Sequence, residues 1–178
     1  VREERGRQFD CPQCGAAVEV TLASSKAITC AHCHSIIDLA EGTGGALRHA
    51  QQSQTVTPLI ALGTRGRLQG VDWQVVGFQR RRGHDPQEPD ESFAWSEYLL
   101  YNLQRGFSFL VDSEDGWSQV QPTTGAPALS ASGQSATYLG SRYELRWAYE
   151  AVTEYVEGEF YWPVASGQKT RNRDFAHG

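Results

Sequence analysis

Four cysteines near the start of the chain form the clearest chemical motif of this sequence. They occur as two C-x-x-C pairs separated by fifteen residues: Cys11, Cys14, Cys30 and Cys33. Thiolates at this spacing are typical ligands of zinc, which four of them enclose in a closed tetrahedral shell. A shell without an open position holds a fold together and does not activate water. The spacing therefore predicts a structural zinc site.

Two alternatives to a four-cysteine site follow from the same segment. His32 and His34 flank Cys33, and either imidazole could replace a thiolate as a ligand. The four thiols could instead form two disulfides. We favour four thiolates, because the chain has no other cysteine and no secretory leader precedes the first pair. The histidines are then expected at the surface or beside the ligands.

The residues around the cysteines are expected to form short strands and tight turns. Pro12 and Gly15 favour a turn at the first pair, and residues 18–22 alternate between apolar and polar. This pattern resembles the zinc-ribbon (rubredoxin-like) superfamily over residues 9–40. The sequence departs from that pattern at His34, which stands where glycine often occurs.

The charge of the chain argues against a nucleic-acid partner. The 16 Lys and Arg residues against 21 Asp and Glu residues leave a net charge of −5, which repels phosphate. Within the predicted ribbon, Lys26 stands alone against Asp10, Glu19 and Asp38. A zinc ion with four thiolates would add two further negative charges. We therefore expect the ribbon to contact protein or to serve the fold alone.

The chain has no apolar run of the roughly 18 residues that a membrane-spanning helix needs. We therefore expect no membrane span in this chain. With reduced cysteines and no leader sequence, we expect a cytoplasmic protein.

Composition along the chain predicts two parts joined by a linker. Residues 41–56 are polar and rich in glycine, whereas the chain from residue 57 alternates β-branched and aromatic runs with glycine turns. We predict a zinc ribbon over residues 9–40, a linker over residues 41–56 and a β-rich domain over residues 57–175. The fold class is all-β, a small zinc ribbon plus an antiparallel β-sandwich or partly open β-barrel.

Two neighbouring segments of the β-rich part carry charge and aromatic side chains. Residues 80–91 begin with three arginines, but the acidic residues that follow neutralise them, which indicates a solvated loop and not a phosphate site. In residues 93–101 the odd positions form one face of a strand. This alternation places Glu97 among aromatic side chains.

Several short motifs of the β-rich part resemble the bacterial family known only as domain of unknown function 4178. They are LGTxGxLxG at residues 62–70, WxEYLLY at 95–101, GFxxLV at 106–111 and GEFYW at 158–162. The resemblance covers residue 57 to about residue 175. Members of this family often carry an amino-terminal zinc ribbon. The resemblance implies a bacterial β-rich module without an established activity, whose gene sometimes neighbours envelope-stress or polyamine genes.

We assign no catalytic residue; the candidates for one would be Glu97 and Glu159, because carboxylates beside aromatic side chains serve acid–base catalysis in many sites. We favour the alternative that Glu97 pairs with an arginine such as Arg146 or Arg142 inside or at the rim of a β-sheet. No common hydrolase or nucleotide-binding motif occurs in the sequence. The five tryptophans could line a groove, but we favour core and cross-strand packing as their role.

The favoured hypothesis is a zinc-binding bacterial protein that acts as a protein-interaction or scaffolding module with an unidentified protein partner. The alternative is an enzyme or small-ligand binder with Glu97 in an aromatic-lined pocket. An enzyme predicts a concave pocket where Glu97 or Glu159 meets a second polar side chain. A scaffold predicts salt-bridged carboxylates and an exposed apolar patch.

Overall fold

The computed structural model describes residues 7–39, 46–49, 52–53 and 55–178. Its regular elements are β-strands, which confirms the predicted all-β class. The strands are β1 (Arg7–Asp10), β2 (Ala17–Val20), β3 (Ala27–Thr29), β4 (Ile36–Asp38), β5 (Ala46–His49), β6 (Arg65–Leu68), β7 (Val71–Asp85), β8 (Glu88–Asn102), β9 (Gly106–Ser113), β10 (Gly116–Val120), β11 (Ala128–Leu129), β12 (Ser135–Tyr138), β13 (Ser141–Phe160) and β14 (Lys169–Ala176). Within this described part of the chain, no helix has the length and hydropathy to cross a bilayer.

Most strands belong to one antiparallel sheet that stays open. Its order is β10-β9-β8-β7-β13-β3-β4-β5, while β1 and β2 form a separate two-stranded sheet. Strand β6 pairs with β7, and both β12 and β14 pair with β13. The sheet does not close on itself, so the architecture is an open sheet and not a closed barrel.

Strand β13 has pairing partners along both of its edges. Glu150 pairs with His84 of β7 on one edge and with Arg171 of β14 on the other. At the carboxyl end of β13, Glu159 pairs with Ile28 of β3. This single strand therefore joins the β7–β10 part of the sheet to the strands that carry the second cysteine pair.

The β7–β8 hairpin runs through residues 80–91, for which the sequence predicts a solvated loop. That prediction is wrong, because residues 86–87 alone separate the two strands. Strand β13 pairs with β7 from Gly77 to His84, so the backbone of residues 80–84 has ladder partners on both sides. These hydrogen bonds outweigh the low β-propensity of charged residues.

Two apolar clusters cover opposite faces of the sheet, since Tyr98 and Leu99 are neighbours on β8 and point to opposite sides. Tyr98 packs with Phe78 and Tyr155, and the partly buried Ile60 packs against this cluster. Leu99 packs with Val156 and Phe160 and also with two residues of the amino-terminal strands, Ala27 and Ile36. The cysteine-bearing hairpins thus share a core with the large sheet.

The predicted linker contributes to the fold. Within residues 41–56, strand β5 pairs with β4. Gln52 is buried, and its side-chain amide bonds to the carbonyl and the N–H of Val156 at 2.8 and 2.9 Å. Residues 40–45, 50–51 and 54 lie outside the described part, and the division into ribbon, linker and β domain stays a prediction.

A close approach of β7 and β13 depends on glycine. Gly158 has a φ of +94°, and a Cβ there would lie 2.3 Å from the carbonyl oxygen of Val76 and 3.0 Å from the Cα of Gly77. Both facts exclude a larger residue without a shift of the backbone.

We predict that Gly158→Ala lowers the free energy of unfolding by about 2–4 kcal/mol, because it adds both a strained φ and a backbone clash. Urea unfolding measures the change. Gly66→Ala is the matched control, since a Cβ added at Gly66 would meet no atom within 4 Å and the residue has no positive φ. Equal losses in the two variants would contradict the close approach.

Candidate functional site

The two cysteine pairs bring four sulfur atoms together where the β1–β2 and β3–β4 hairpins turn. The Sγ atoms of Cys11 and Cys33 are 3.7 Å apart, as are those of Cys14 and Cys30. All four lie within 4.8 Å of one another and none is in a disulfide. Zinc–sulfur bonds of about 2.3 Å in a regular tetrahedron require sulfur separations of about 3.8 Å. The cluster therefore could hold a metal ion.

Equivalent backbone turns orient the two cysteine pairs. The N–H of Gly15 donates to the carbonyl of Cys11, and the N–H of His34 donates to the carbonyl of Cys30, each at 2.9 Å. Gly15 has a φ of +75° and His34 a φ of +60°. His34 thus occupies the left-handed position that glycine fills in the first turn, as the departure from the ribbon pattern indicated.

The histidines lie outside the sulfur cluster. His32 is exposed, and His34 Nδ1 lies 3.4 Å from the hydroxyl of Tyr155. Burial, and then the negative charge of Glu157, raise the pKa of Tyr155 to about 12, so this hydroxyl stays protonated. Among the described residues, the group that could hold a metal consists of the four cysteines.

Two of the four thiols, those of Cys14 and Cys33, differ strongly in acidity. Burial raises the pKa of Cys33, but hydrogen bonds with the side chain and backbone of Ser35 outweigh it and lower that pKa to about 6. At Cys14 the N–H of Ala16 lowers the pKa, while burial and the neighbouring thiols raise it to about 12. The four sulfur atoms thus compete for negative charge, a situation that a bound divalent cation relieves.

Glu159, one of the two candidate catalytic residues, clamps the chain that follows β2. Its Oε1 atom accepts hydrogen bonds from the N–H groups of Thr21 and Leu22 at 2.9 and 3.1 Å and from the hydroxyl of Ser25 at 3.0 Å. Its Oε2 atom accepts a further bond from the hydroxyl of Thr21. The side chain is 7% exposed. This carboxylate therefore fixes the cysteine-bearing hairpins to the end of β13.

Glu97, the other candidate, lies on the wall of a cleft. Its carboxylate accepts bonds from Gln79 Nε2 at 2.5 Å and from the indole N–H of Trp95 at 2.7 Å. The expected pairing with an arginine does not occur, because Arg142 bonds to a different carboxylate and Arg146 lines the cleft without an ion pair to Glu97 in the described structure. The odd positions of residues 93–101 share one face, as predicted.

The cleft lies between β8 with the β9–β10 hairpin on one side and β13 with β14 on the other, and its volume is about 1000 Å³. Phe93, Trp95 and Tyr149 form an aromatic cluster with ring centroids 5.2 to 6.1 Å apart. Trp147 also lines the cleft and is 66% exposed. A concave, aromatic surface of this size is typical of a small-molecule site.

Sequence reasoning found one wall of the cleft and missed the other. Glu97 and its aromatic neighbours follow from the alternation within β8. Tyr149 and Asp174 reach the same cleft from β13 and β14. No local pattern marks them, because their placement depends on the register of β13 with strands that are distant in sequence.

We predict that Glu159→Gln lowers the free energy of unfolding by about 1–3 kcal/mol, because an amide NH₂ would face hydrogen-bond donors that a carboxylate satisfies. Hydrogen exchange at the amides of Thr21 and Leu22 should accelerate more than exchange in β8. Glu19→Gln, at an exposed position of β2, is the control. Unchanged exchange at Thr21 and Leu22 would contradict the role of Glu159 as the acceptor of their hydrogen bonds.

Comparison with known proteins identifies the larger part of the chain. The family model described as Domain of unknown function (DUF4178) matches residues 61–178. No curated protein matches the chain, and neither does any solved structure. The match contains Glu97, Glu159 and the whole of the cleft, while the four cysteines precede it. The match covers about two thirds of the residues of this chain, and the chain therefore belongs to the DUF4178 family.

Proposed function

We propose that this protein is a zinc-stabilised binding module of the bacterial cytoplasm, without catalytic activity of its own. The observation that carries the proposal is the convergence of four sulfur atoms at separations that suit one tetrahedral ion. Four thiolates leave zinc no open position for a substrate or a water molecule. The metal would therefore serve structure.

A metal would add to the stability of the amino-terminal hairpins, whose own core is small although they also pack against the large sheet. Their buried cluster contains two of the cysteines themselves and a few aliphatic residues, which are Val18, Val20, Ile28, Ile37 and Leu39. A core this small rarely stabilises a module without a metal or a disulfide. The cytoplasmic location that we propose fits this assignment, because thiols stay reduced there.

The open sheet supports a protein partner. Strand β10 is a terminal strand of the sheet order, and it exposes Trp117 at 50% and Val120 at 46%. An edge strand with exposed apolar side chains is a surface on which another protein can add a strand. We place the proposed partner on strand β10. The family resemblance implies that the protein acts in envelope stress.

A second candidate function is the binding of a small ligand in the cleft. The observation that favours it is the position of Glu97, whose carboxylate lies on the wall of an aromatic cavity and makes no ion pair with any described residue. The arrangement meets the criterion set for an enzyme, since Glu97 meets the polar side chain of Gln79 in a concave pocket, but acid–base catalysis would also need a second titratable group positioned against a reacting atom. Binding alone needs only the cavity and the charge.

Metal analysis of the purified full chain tests the zinc site. We predict about one zinc per chain, and loss of most of it in Cys11→Ser and Cys30→Ser, because three thiolates with a hydroxyl hold the ion far less tightly. His32→Ala is the matched control and should retain the metal. Iron in place of zinc, full loading of the serine variants or loss of metal from His32→Ala would contradict the assignment.

Affinity capture from a bacterial lysate tests the protein-binding surface. We predict that the chain recovers a partner that Trp117→Ser fails to recover, because the substitution removes the exposed indole from β10. Leu103→Ser is the control, since Leu103 is 80% exposed in the turn between β8 and β9. Thermal unfolding of both variants checks that they fold. Recovery of the same proteins by all three chains would contradict a role for β10.

A further inference from the structure

A second, smaller cavity lies beside the apolar cluster that contains Tyr98. Its lining comes from residues 56–59 and from strands β7, β8, β9 and β13, and its volume is about 410 Å³. This volume is within the range of small-molecule sites, about 300–1,000 Å³. The polar residues that line it are Thr57, Arg80, Arg82, Ser96, Tyr98, Asp112 and Glu154.

Three of these polar residues lie side by side across the sheet. Arg80 of β7 pairs with Ser96 of β8, and Ser96 pairs with Asp112 of β9, so their side chains share one face. A guanidinium N–H of Arg80 donates to the hydroxyl of Ser96 at 3.1 Å. The charge of Arg80 therefore lies one strand spacing, about 5 Å, from Asp112. The two residues have opposite charges, yet neither makes an ion pair with any described residue.

The other two charges of the cavity compensate each other. Arg82 Nε bonds to a carboxylate oxygen of Glu154 at 2.6 Å. The cavity therefore presents one uncompensated cation, Arg80, and one uncompensated anion, Asp112. A ligand with a single charge would be attracted by one of them and repelled by the other. A zwitterion satisfies both.

The hydroxyl of Tyr98 is an independent indication of a ligand with an acceptor group. Tyr98 is 1% exposed, and its oxygen accepts the N–H groups of Leu59 at 2.9 Å and Ile60 at 3.4 Å. These two bonds occupy the acceptor sites of the oxygen, so only its proton is available. No described residue accepts that proton, although a buried hydroxyl normally has such a partner. A carboxylate in the cavity would accept it together with the N–H groups of Arg80.

The remaining lining of the cavity is apolar. Val56, Leu59 and Phe78 provide it. The side chain of Leu59 is 79% exposed, so a hydrocarbon group that covered it would remove apolar surface from water. The apolar lining therefore favours a ligand with an aliphatic side chain.

We propose that this cavity binds a small zwitterion of the α-amino acid type with an aliphatic side chain. Its carboxylate accepts hydrogen bonds from Arg80 and from the hydroxyl of Tyr98, and its ammonium group donates to Asp112. The short gap between Arg80 and Asp112 suits two charged groups on one carbon atom. The inference goes beyond the proposed function, because it involves neither the cysteines nor the cleft of Glu97 and its failure would leave both proposals intact.

Isothermal titration of the full chain with L-leucine tests the inference. Two truncated probes keep the same hydrocarbon group: 4-methylpentanoate lacks the ammonium group, and 3-methylbutylamine lacks the carboxylate. We expect leucine to bind and each truncated probe to bind at least about tenfold more weakly, because each leaves one charge of the cavity unpaired. This comparison uses the unsubstituted chain, so it does not depend on the folding of a variant.

Substitutions test the two charges separately. Arg80→Gln and Asp112→Asn should each weaken leucine binding by about tenfold or more, because each keeps the approximate shape but loses a charge. Arg67→Gln and Asp72→Asn are the matched controls, since these residues form an exposed ion pair outside the cavity. They should change the affinity by less than about twofold. Thermal unfolding of all four variants checks that they fold.

Several results would overturn the inference. If leucine does not bind, the cavity is not an amino acid site. Binding of 4-methylpentanoate as tight as that of leucine would make the site an anion site, and equal binding of 3-methylbutylamine would make it a cation site. Unchanged leucine affinity in folded Arg80→Gln and Asp112→Asn would place the ligand elsewhere. Strongly non-additive losses of stability in the ligand-free double variant would show that Arg80 and Asp112 pair with each other instead.

Discussion

The backbone hydrogen bonds of one strand organise this molecule. Strand β13 is 20 residues long, and its N–H and C=O groups need partners along both edges wherever water is excluded. Strands β7 and β14 provide them over the middle of β13, and β3 provides them at its end. The cleft therefore lies beside the middle of β13 and the cysteine cluster beside its end. Both candidate sites are positioned by the same ladder.

The carboxyl end of β13 shows how consecutive residues join two parts of a chain. Gly158 permits contact with β7, Glu159 bonds to the loop after β2, and the carbonyl of Phe160 accepts the N–H of Lys26 at 2.8 Å. The amino-terminal hairpins are thus attached to the sheet through backbone bonds and a carboxylate, independently of any metal. A zinc ion would hold the sulfur atoms of Cys11 and Cys33 together, whereas Glu159 holds the hairpins to the sheet. These two tasks are complementary.

The features that could be predicted from the sequence are those encoded over short distances. The cysteine spacing, the all-β class and the face that contains Glu97 depend on local periodicity, which a single sequence displays. The strand character of residues 80–84 could not be predicted, because these residues also pair with β13 about 70 residues later. The same holds for Gln52, a polar residue that is buried because it bonds to the backbone of Val156. Long-range partners decide both cases.

Glu97 and Glu159 illustrate why a motif alone does not assign a role. Both are glutamates beside aromatic residues in β-strands, and the sequence offers no reason to separate them. The carboxylate of Glu159 accepts four hydrogen bonds from the chain around it, so its bonding capacity serves the fold. Glu97 accepts two bonds from neutral donors and lies at the cleft. A carboxylate accepts about four hydrogen bonds, so Glu97 retains the capacity to bind a ligand and Glu159 does not.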